Sequence, residues 1–431
     1  MSRHINVVRR GAPCARDARR SFLAVPARVV ALAVALAIAP GGAARAQQTV
    51  SSGAPAARIR PRAAQAAEGD FVVRDFHFDD GETLPELRLH YHTLGAPRRD
   101  AAGVVRNAVL IIHGTGGSGR QFLSPNFAGE LFGPGQLLDT TTHFIVLPDN
   151  IGHSQSTKPS DGMHARFPHY GYGDMVRAQH LLLTDALHVN HLLLVMGTSM
   201  GGMQTWMWGE AYPDFMDGLV PLASLPTQIA GRNRMMRQMI ADDIRDDPSW
   251  NGGDYAVQPR GLRGALQLLF MMTSSPRTLQ RMYPTRDSAE HYIERWMDAR
   301  MKSTDANDLL YAFQSSRDYN PEPALEKIRA PLLAINSADD QVNPPELGVM
   351  DALMPRVAHG HYVLLPITDQ TRGHGTHSLP AIWKPYLAQF LAAIEAAPAV
   401  PTPSPRQSRR SASGAAPGSG SPRVPAMAPT H

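Results

Sequence analysis

Leu192-Leu193-Leu194-Val195-Met196-Gly197-Thr198-Ser199-Met200-Gly201-Gly202-Met203 is the stretch on which the reading of this chain turns. The apolar run Leu192–Met196 has strand length. It enters Gly197–Gly201, the only G-x-S-x-G in the sequence, and a helical pattern over Gly202–Tyr212 leaves it. The bare pattern is weak, but strand, tight turn and helix together describe a nucleophile elbow. Glycines beside Ser199 leave room for the close turn, and the hydroxyl then projects at a helix N-terminus, where backbone N–H groups favour an oxyanion.

Outward from the elbow, short apolar runs alternate with helical stretches. Phe71–Phe78 and Leu87–Leu94 read as opening strands. Val109–Ile112, Phe144–Leu147, Leu192–Met196, Leu219–Leu222, Leu332–Ile335 and Tyr362–Leu365 read as buried ones. Helical patterns cover Asp174–Leu187, Gly202–Tyr212 and Pro380–Ala396. This alternation predicts an α/β fold, a mostly parallel eight-stranded sheet with helices on both faces. Residues 226–325 break the rhythm with a long, helix-rich, Met-rich insertion, which predicts a helical lid over the carboxyl ends of the strands. Its methionines, Met235 to Met301, are expected as ordinary lid packing.

The flanks have another character. Arginines lead into the apolar run Val29–Ala39, and Ala44-Arg45-Ala46 offers small residues for cleavage before Gln47, so residues 1–46 read as an export signal. Arg19-Arg20-Ser21-Phe22-Leu23 resembles a twin-arginine motif. The apolar run is too short for a stable membrane span. Residues 47–67 read as a flexible linker, residues 68–397 as the folded body and the Pro- and Ser-rich residues 398–431 as a disordered tail. The expected location is periplasmic or secreted.

That division changes the meaning of the charge. The 431 residues carry a net +4 and a pI of about 9.3. Fifteen arginines against one aspartate lie in the three flanking segments, which leaves −10 on the body. An acidic body argues against nucleic acid as the main partner. The single cysteine, Cys14, falls in the export segment, so no disulfide or cysteine nucleophile is expected beyond it.

A serine hydroxyl needs a base, and the base needs an acid to orient it. In this architecture the order along the chain is serine, acid, histidine. After Tyr362–Leu365 comes Thr371-Arg372-Gly373-His374-Gly375, which makes His374 the base. After Leu332–Ile335 come Asp339 and Asp340, and neighbouring residues cannot both face one imidazole. Two N–H groups must hold the oxyanion: that of Met200, next to the nucleophile, and that of Thr115 in the glycine-rich loop His113–Gly119. The loop lacks the Lys-Ser/Thr ending of a phosphate-binding loop. The pairs His188/His191, His359/His361 and His374/His377 bring no carboxylate at ligand spacing, so neither metal nor cofactor is expected.

From about His90 to Leu391 the chain resembles the homoserine O-acetyltransferase branch of the α/β-hydrolase superfamily. The resemblance rests on Tyr91-His92-Thr93-Leu94-Gly95, Asp174-Met175-Val176-Arg177-Ala178-Gln179, Gly197 to Gln204, and Asp247-Pro248-Ser249-Trp250-Asn251-Gly252-Gly253-Asp254-Tyr255. It implies an Asp-x-Leu-x-Pro-Pro pattern at the acid, which Asp340-Gln341-Val342-Asn343-Pro344-Pro345 matches, favouring Asp340 over Asp339. It also implies acetyl-coenzyme A as co-substrate, homoserine as acceptor and a homodimer contacting through the insertion. The amino-acid-binding charges it implies are missing: an Arg, a Tyr and an Asp fall on Leu266, Thr273 and Gly375. Burying a zwitterion without those partners is costly. The expected function is therefore an exported serine hydrolase of small acyl esters. The alternatives are an acyl-coenzyme A-dependent O-acetyltransferase and a non-catalytic binding protein.

Overall fold

The structure is a computed structural model that describes residues 65–396. The segments read as an export signal (1–46) and a tail (398–431), and most of the one read as a linker (47–67), lie outside the described residues.

Strands β1 (Ala67–His77), β2 (Thr83–Leu94), β3 (Ala108–Ile112), β4 (Phe144–Pro148), β5 (Leu194–Thr198), β6 (Leu219–Leu222), β7 (Leu332–Ser337) and β8 (Gly360–Leu365) form one sheet. Their order is β1-β2-β4-β3-β5-β6-β7-β8. β2 runs antiparallel to β1 and β4, and every pair from β4 to β8 is parallel. The α/β-hydrolase architecture read from the sequence is thus the one observed. β1 and β2 begin four residues before the runs Phe71–Phe78 and Leu87–Leu94, and β1 takes in Ala67 from the linker. Glu68, Gly69 and Asp70 in β1 and Thr83, Pro85 and Glu86 in β2 interrupt the apolar pattern, so it misses the strand starts.

The central strands are apolar at nearly every position because both faces are covered. Alternate side chains serve different cores. Ala108, Leu110 and Ile112 of β3 join Val176, Trp206 and Trp208 under the helices Tyr172–Leu181 and Met200–Ala211. Val109 and Ile111 join Phe122, Phe127, Trp383 and Leu387 on the opposite face, under Pro380–Ala396. The indole N–H groups are satisfied: Trp206 donates to Ser224 Oγ at 3.1 Å and Trp208 to Gln179 Oε1 at 2.7 Å.

Chain order reverses around β3, which sits between β4 and β5. In open α/β sheets such a reversal leaves a crevice at the carboxyl ends of the strands. The loop after β3 and the elbow after β5 meet there. The insertion between β6 and β7 holds the helices Gly231–Arg245, Gly261–Thr273, Pro276–Met282, Arg286–Ser303 and Ala306–Gln314. It has a core of its own, including Ile240, Ile244, Leu262, Leu266, Met297, Leu310 and Phe313. Its methionines divide: Met272 and Met297 are buried, whereas Met235, Met239, Met271 and Met282 are exposed. The division arises because these helices each bury only one face.

Glu210, near the end of Met200–Ala211, has a buried Oε1 with no hydrogen-bond partner. Burial pushes its carboxyl up to about 8, against the pull of Lys327. With a folded pKa above the unfolded 4.5, its stabilising protonation is full below 4.5 and lost as pH rises through 8. Glu210→Gln should therefore match the native protein in thermal midpoint at pH 4.5 and exceed it by a few degrees at pH 8.5. Identical midpoints at both pH values would contradict this account.

Candidate active site

Ser199 sits between the last residue of β5 and the first of Met200–Ala211, with φ 56° and ψ −113°. That left-handed φ is costly for a residue with a Cβ and is held by its surroundings. Ser199 N–H donates to Leu222 O at 2.9 Å, and its carbonyl accepts from Met203 N–H at 2.9 Å. Close packing explains the glycines. A Cβ on Gly201 would collide with the Ile112 carbonyl oxygen, and one on Gly197 with the carbonyl of Gly201.

His374 reaches the same edge from the loop after β8. His374 is buried, with Nε2 2.8 Å from Ser199 Oγ and Nδ1 2.9 Å from Asp340 Oδ2. Asp340 comes from the loop after β7 and is 1% exposed. Its Oδ1 accepts the N–H groups of Val342 at 2.8 Å and Asn343 at 3.3 Å, and its Oδ2 accepts Asn343 Nδ2 at 3.1 Å. Burial alone would raise its pKa. The charge and bond of His374, with the bonds from Asn343 and Val342, instead hold it below the usual carboxylate range. Asp339 faces elsewhere: it accepts Ser337 Oγ at 2.6 Å and Gly373 N–H at 2.9 Å, bracing the backbone just before His374.

Thr115 lines the cavity beside Ser199 and Met200 opens the helix that follows it, and the backbone N–H of neither donates to another described residue. Gly114 lies against the serine, where an added Cβ would come within 3.2 Å of Ser199 Cβ. The loop is steadied from beneath by His113, whose Nε2 accepts Asn150 N–H at 3.0 Å. Its Nδ1 therefore carries the proton, donated to Gly114 O at 2.8 Å. Burial lowers the His113 pKa and keeps the ring neutral.

Ser199, His374 and Thr115 open into a cavity of about 400 Å³ with Phe122, Phe127, Leu269, Met272 and Phe313 in its walls. Thr273 and Gly375 line it without charge, and Thr273 Oγ1 bonds back to Leu269 O at 2.9 Å. Leu266 is buried and faces an adjoining cavity that shares Thr115, Leu269 and Thr273. One wall residue escapes any reading of the sequence. Arg237 of Gly231–Arg245 is 5% exposed and lines the main cavity. Its Nε donates to Asn233 Oδ1 at 2.9 Å, its Nη1 to Ser316 Oγ at 3.2 Å, and it lies over the Phe313 ring. Three arginines occur within six residues there, and only the docking of the helix shows which one turns inward.

Residues 107–363 match the model of the alpha/beta hydrolase fold family. A probable acyltransferase of Methanothermobacter thermautotrophicus is 30% identical over 309 residues, 70% of this chain and 91% of that protein. The chain belongs to the α/β-hydrolases, in the homoserine O-acetyltransferase-like family. A homoserine O-acetyltransferase of Pelobacter propionicus is 31% identical, over 64% of this chain and 83% of its own length. Among solved structures of this α/β-hydrolase fold, esterase E22 superposes with a TM-score of 0.65 at 22% identity, covering 76% of this chain and all of that one. The family therefore includes proteins named for acyl transfer, while the shared fold extends to one named as an esterase.

Proposed function

We propose that this protein is an exported serine esterase that cleaves small acyl esters through an acyl-enzyme. The observation that carries the reading is the hydrogen-bonded line Ser199–His374–Asp340 opening on an apolar cavity. Ser199 Oγ attacks the ester carbonyl as its proton passes to His374 Nε2. Asp340 holds the Nδ1–H tautomer and stabilises the imidazolium. Met200 and Thr115 N–H groups hold the oxyanion, worth about 10²–10³-fold in rate for each donor. The intermediate collapses as His374 returns the proton to the leaving alkoxide. Water, deprotonated by the same ring, then releases the acid and restores the serine.

Water is favoured as acceptor by Leu266, Thr273 and Gly375, which offer a zwitterion none of the charges that the resemblance implies at those positions. The signal-like segment 1–46 points the same way, since an exported enzyme meets water but no ready supply of acetyl-coenzyme A. Arg237 supports a second reading, acyl transfer, because a buried guanidinium in the cavity can receive the carboxylate of an acceptor.

The deciding assay gives the pure protein p-nitrophenyl acetate and, separately, acetyl-coenzyme A with homoserine. Ester cleavage is expected to exceed homoserine-dependent thiol release by at least about tenfold in kcat/KM, a margin of roughly 1.4 kcal/mol. Thiol release that depends on homoserine and exceeds ester cleavage would replace the esterase with a transferase.

A further inference from the structure

β1 and β2 carry a group of side chains that the catalytic cavity does not use. The antiparallel register sets Glu68 opposite His92 and Asp70 opposite His90. Because side chains alternate along a strand, all four lie on one face of the hairpin. His90 and His92 are buried, their rings edge to face with centroids 5.0 Å apart. The two carboxylates are half exposed.

His92 is the anomaly. It is 1% exposed, and neither ring nitrogen has a hydrogen-bond partner. A buried polar group left unpaired is costly and calls for an explanation, an absent ion among them. Its Nδ1 stands 3.4 Å from Glu68 Oε1, and His90 Nδ1 stands 2.9 Å from Asp70 Oδ1. Ligand atoms of Glu68, His90 and His92 all lie within 4.8 Å of one another. A tetrahedral zinc ion with bonds of about 2.1 Å holds its ligand atoms about 3.4 Å apart, so small side-chain adjustments close this set around one ion. None of the histidine pairs considered from the sequence falls in such a group among the described residues.

We propose that Glu68, Asp70, His90 and His92 form a binding site for a zinc-like divalent transition metal that clips the first strand to the sheet. Two imidazoles and two carboxylates make a donor set suited to such an ion. The half-exposed carboxylates leave an access path to the buried imidazoles. Gln155 supplies an outer partner. Its side-chain amide lies 3.2 Å from His90 Nε2, and with its carbonyl turned inward it accepts the Nε2–H when Nδ1 binds metal. No residue of β1 or β2 lines the catalytic cavity, so the site stands apart from the esterase reaction.

The test uses the full chain, stripped with a chelator and dialysed against Zn²⁺. One equivalent of zinc per chain is expected by mass spectrometry of the metal, with a thermal midpoint raised on loading. The exposed pair Glu68→Gln with Asp70→Asn should abolish that equivalent and the thermal shift while ester cleavage stays within about twofold. His92→Gln should do the same; if it does not fold, the carboxylate pair alone decides. Failure to take up zinc, or uptake that survives the carboxylate pair, overturns the proposal. The second exposed group, Asp80, Glu82 and His169, is untouched by these changes and would account for surviving uptake.

Discussion

Ser199→Ala should lower kcat for p-nitrophenyl acetate by about 10⁴–10⁶-fold and abolish labelling by a fluorophosphonate, with the thermal midpoint nearly unchanged. The magnitude follows from what the oxygen does: without it no acyl-enzyme forms. Only ground-state binding and the Met200 and Thr115 N–H groups remain, and these leave residual rate enhancement over water. The small stability change follows from geometry. Alanine meets the same left-handed backbone penalty as serine at φ 56°, and the N–H bond to Leu222 O is kept. Ser124 and Ser378 also line the cavity, but among the described serines only Ser199 is hydrogen-bonded to His374. Labelling that persists in Ser199→Ala would assign the nucleophile to one of them and end the proposed mechanism.

The second large effect separates two neighbouring aspartates. Asp340→Asn should reduce kcat by about 10⁴-fold, because an amide facing Nδ1 can donate and so favours the wrong tautomer of His374. Asp339→Asn should reduce it by no more than about tenfold, since it perturbs one or two bracing hydrogen bonds and not the tautomer. The contrast rests on which carboxylate meets the ring: Asp340 Oδ2 is 2.9 Å from Nδ1, whereas Asp339 receives Ser337 Oγ and Gly373 N–H. Equal losses from the two substitutions would contradict the assignment. So would a mild Asp340→Asn with a severe Asp339→Asn.

Much of this site was legible in the sequence because its parts are local. Gly197–Gly201 carries its own context in the apolar run before it and the helical run after it. His374 was marked by its place after the last apolar strand run. The aspartates were harder, since adjacent loop residues differ only in direction; the Pro344-Pro345 pattern of the resemblance chose Asp340. Arg237 and the His90–His92 group were not legible. The burial of Arg237 depends on Gly231–Arg245 docking beside Phe313 and Ser316. Glu68 is 24 residues from His92 in sequence, and only the hairpin register sets them opposite.

The amino-acid order by itself determined the alternation of strands and helices, the elbow and the kinds of reactive group available, because each is encoded in runs of a few residues. The tertiary structure alone decided which arginine enters the cavity and which histidines meet carboxylates, and it set Asp340, already favoured by the sequence pattern, against the imidazole. Those outcomes depend on packing between segments tens to hundreds of residues apart, where direction and burial, not residue type, determine the chemistry.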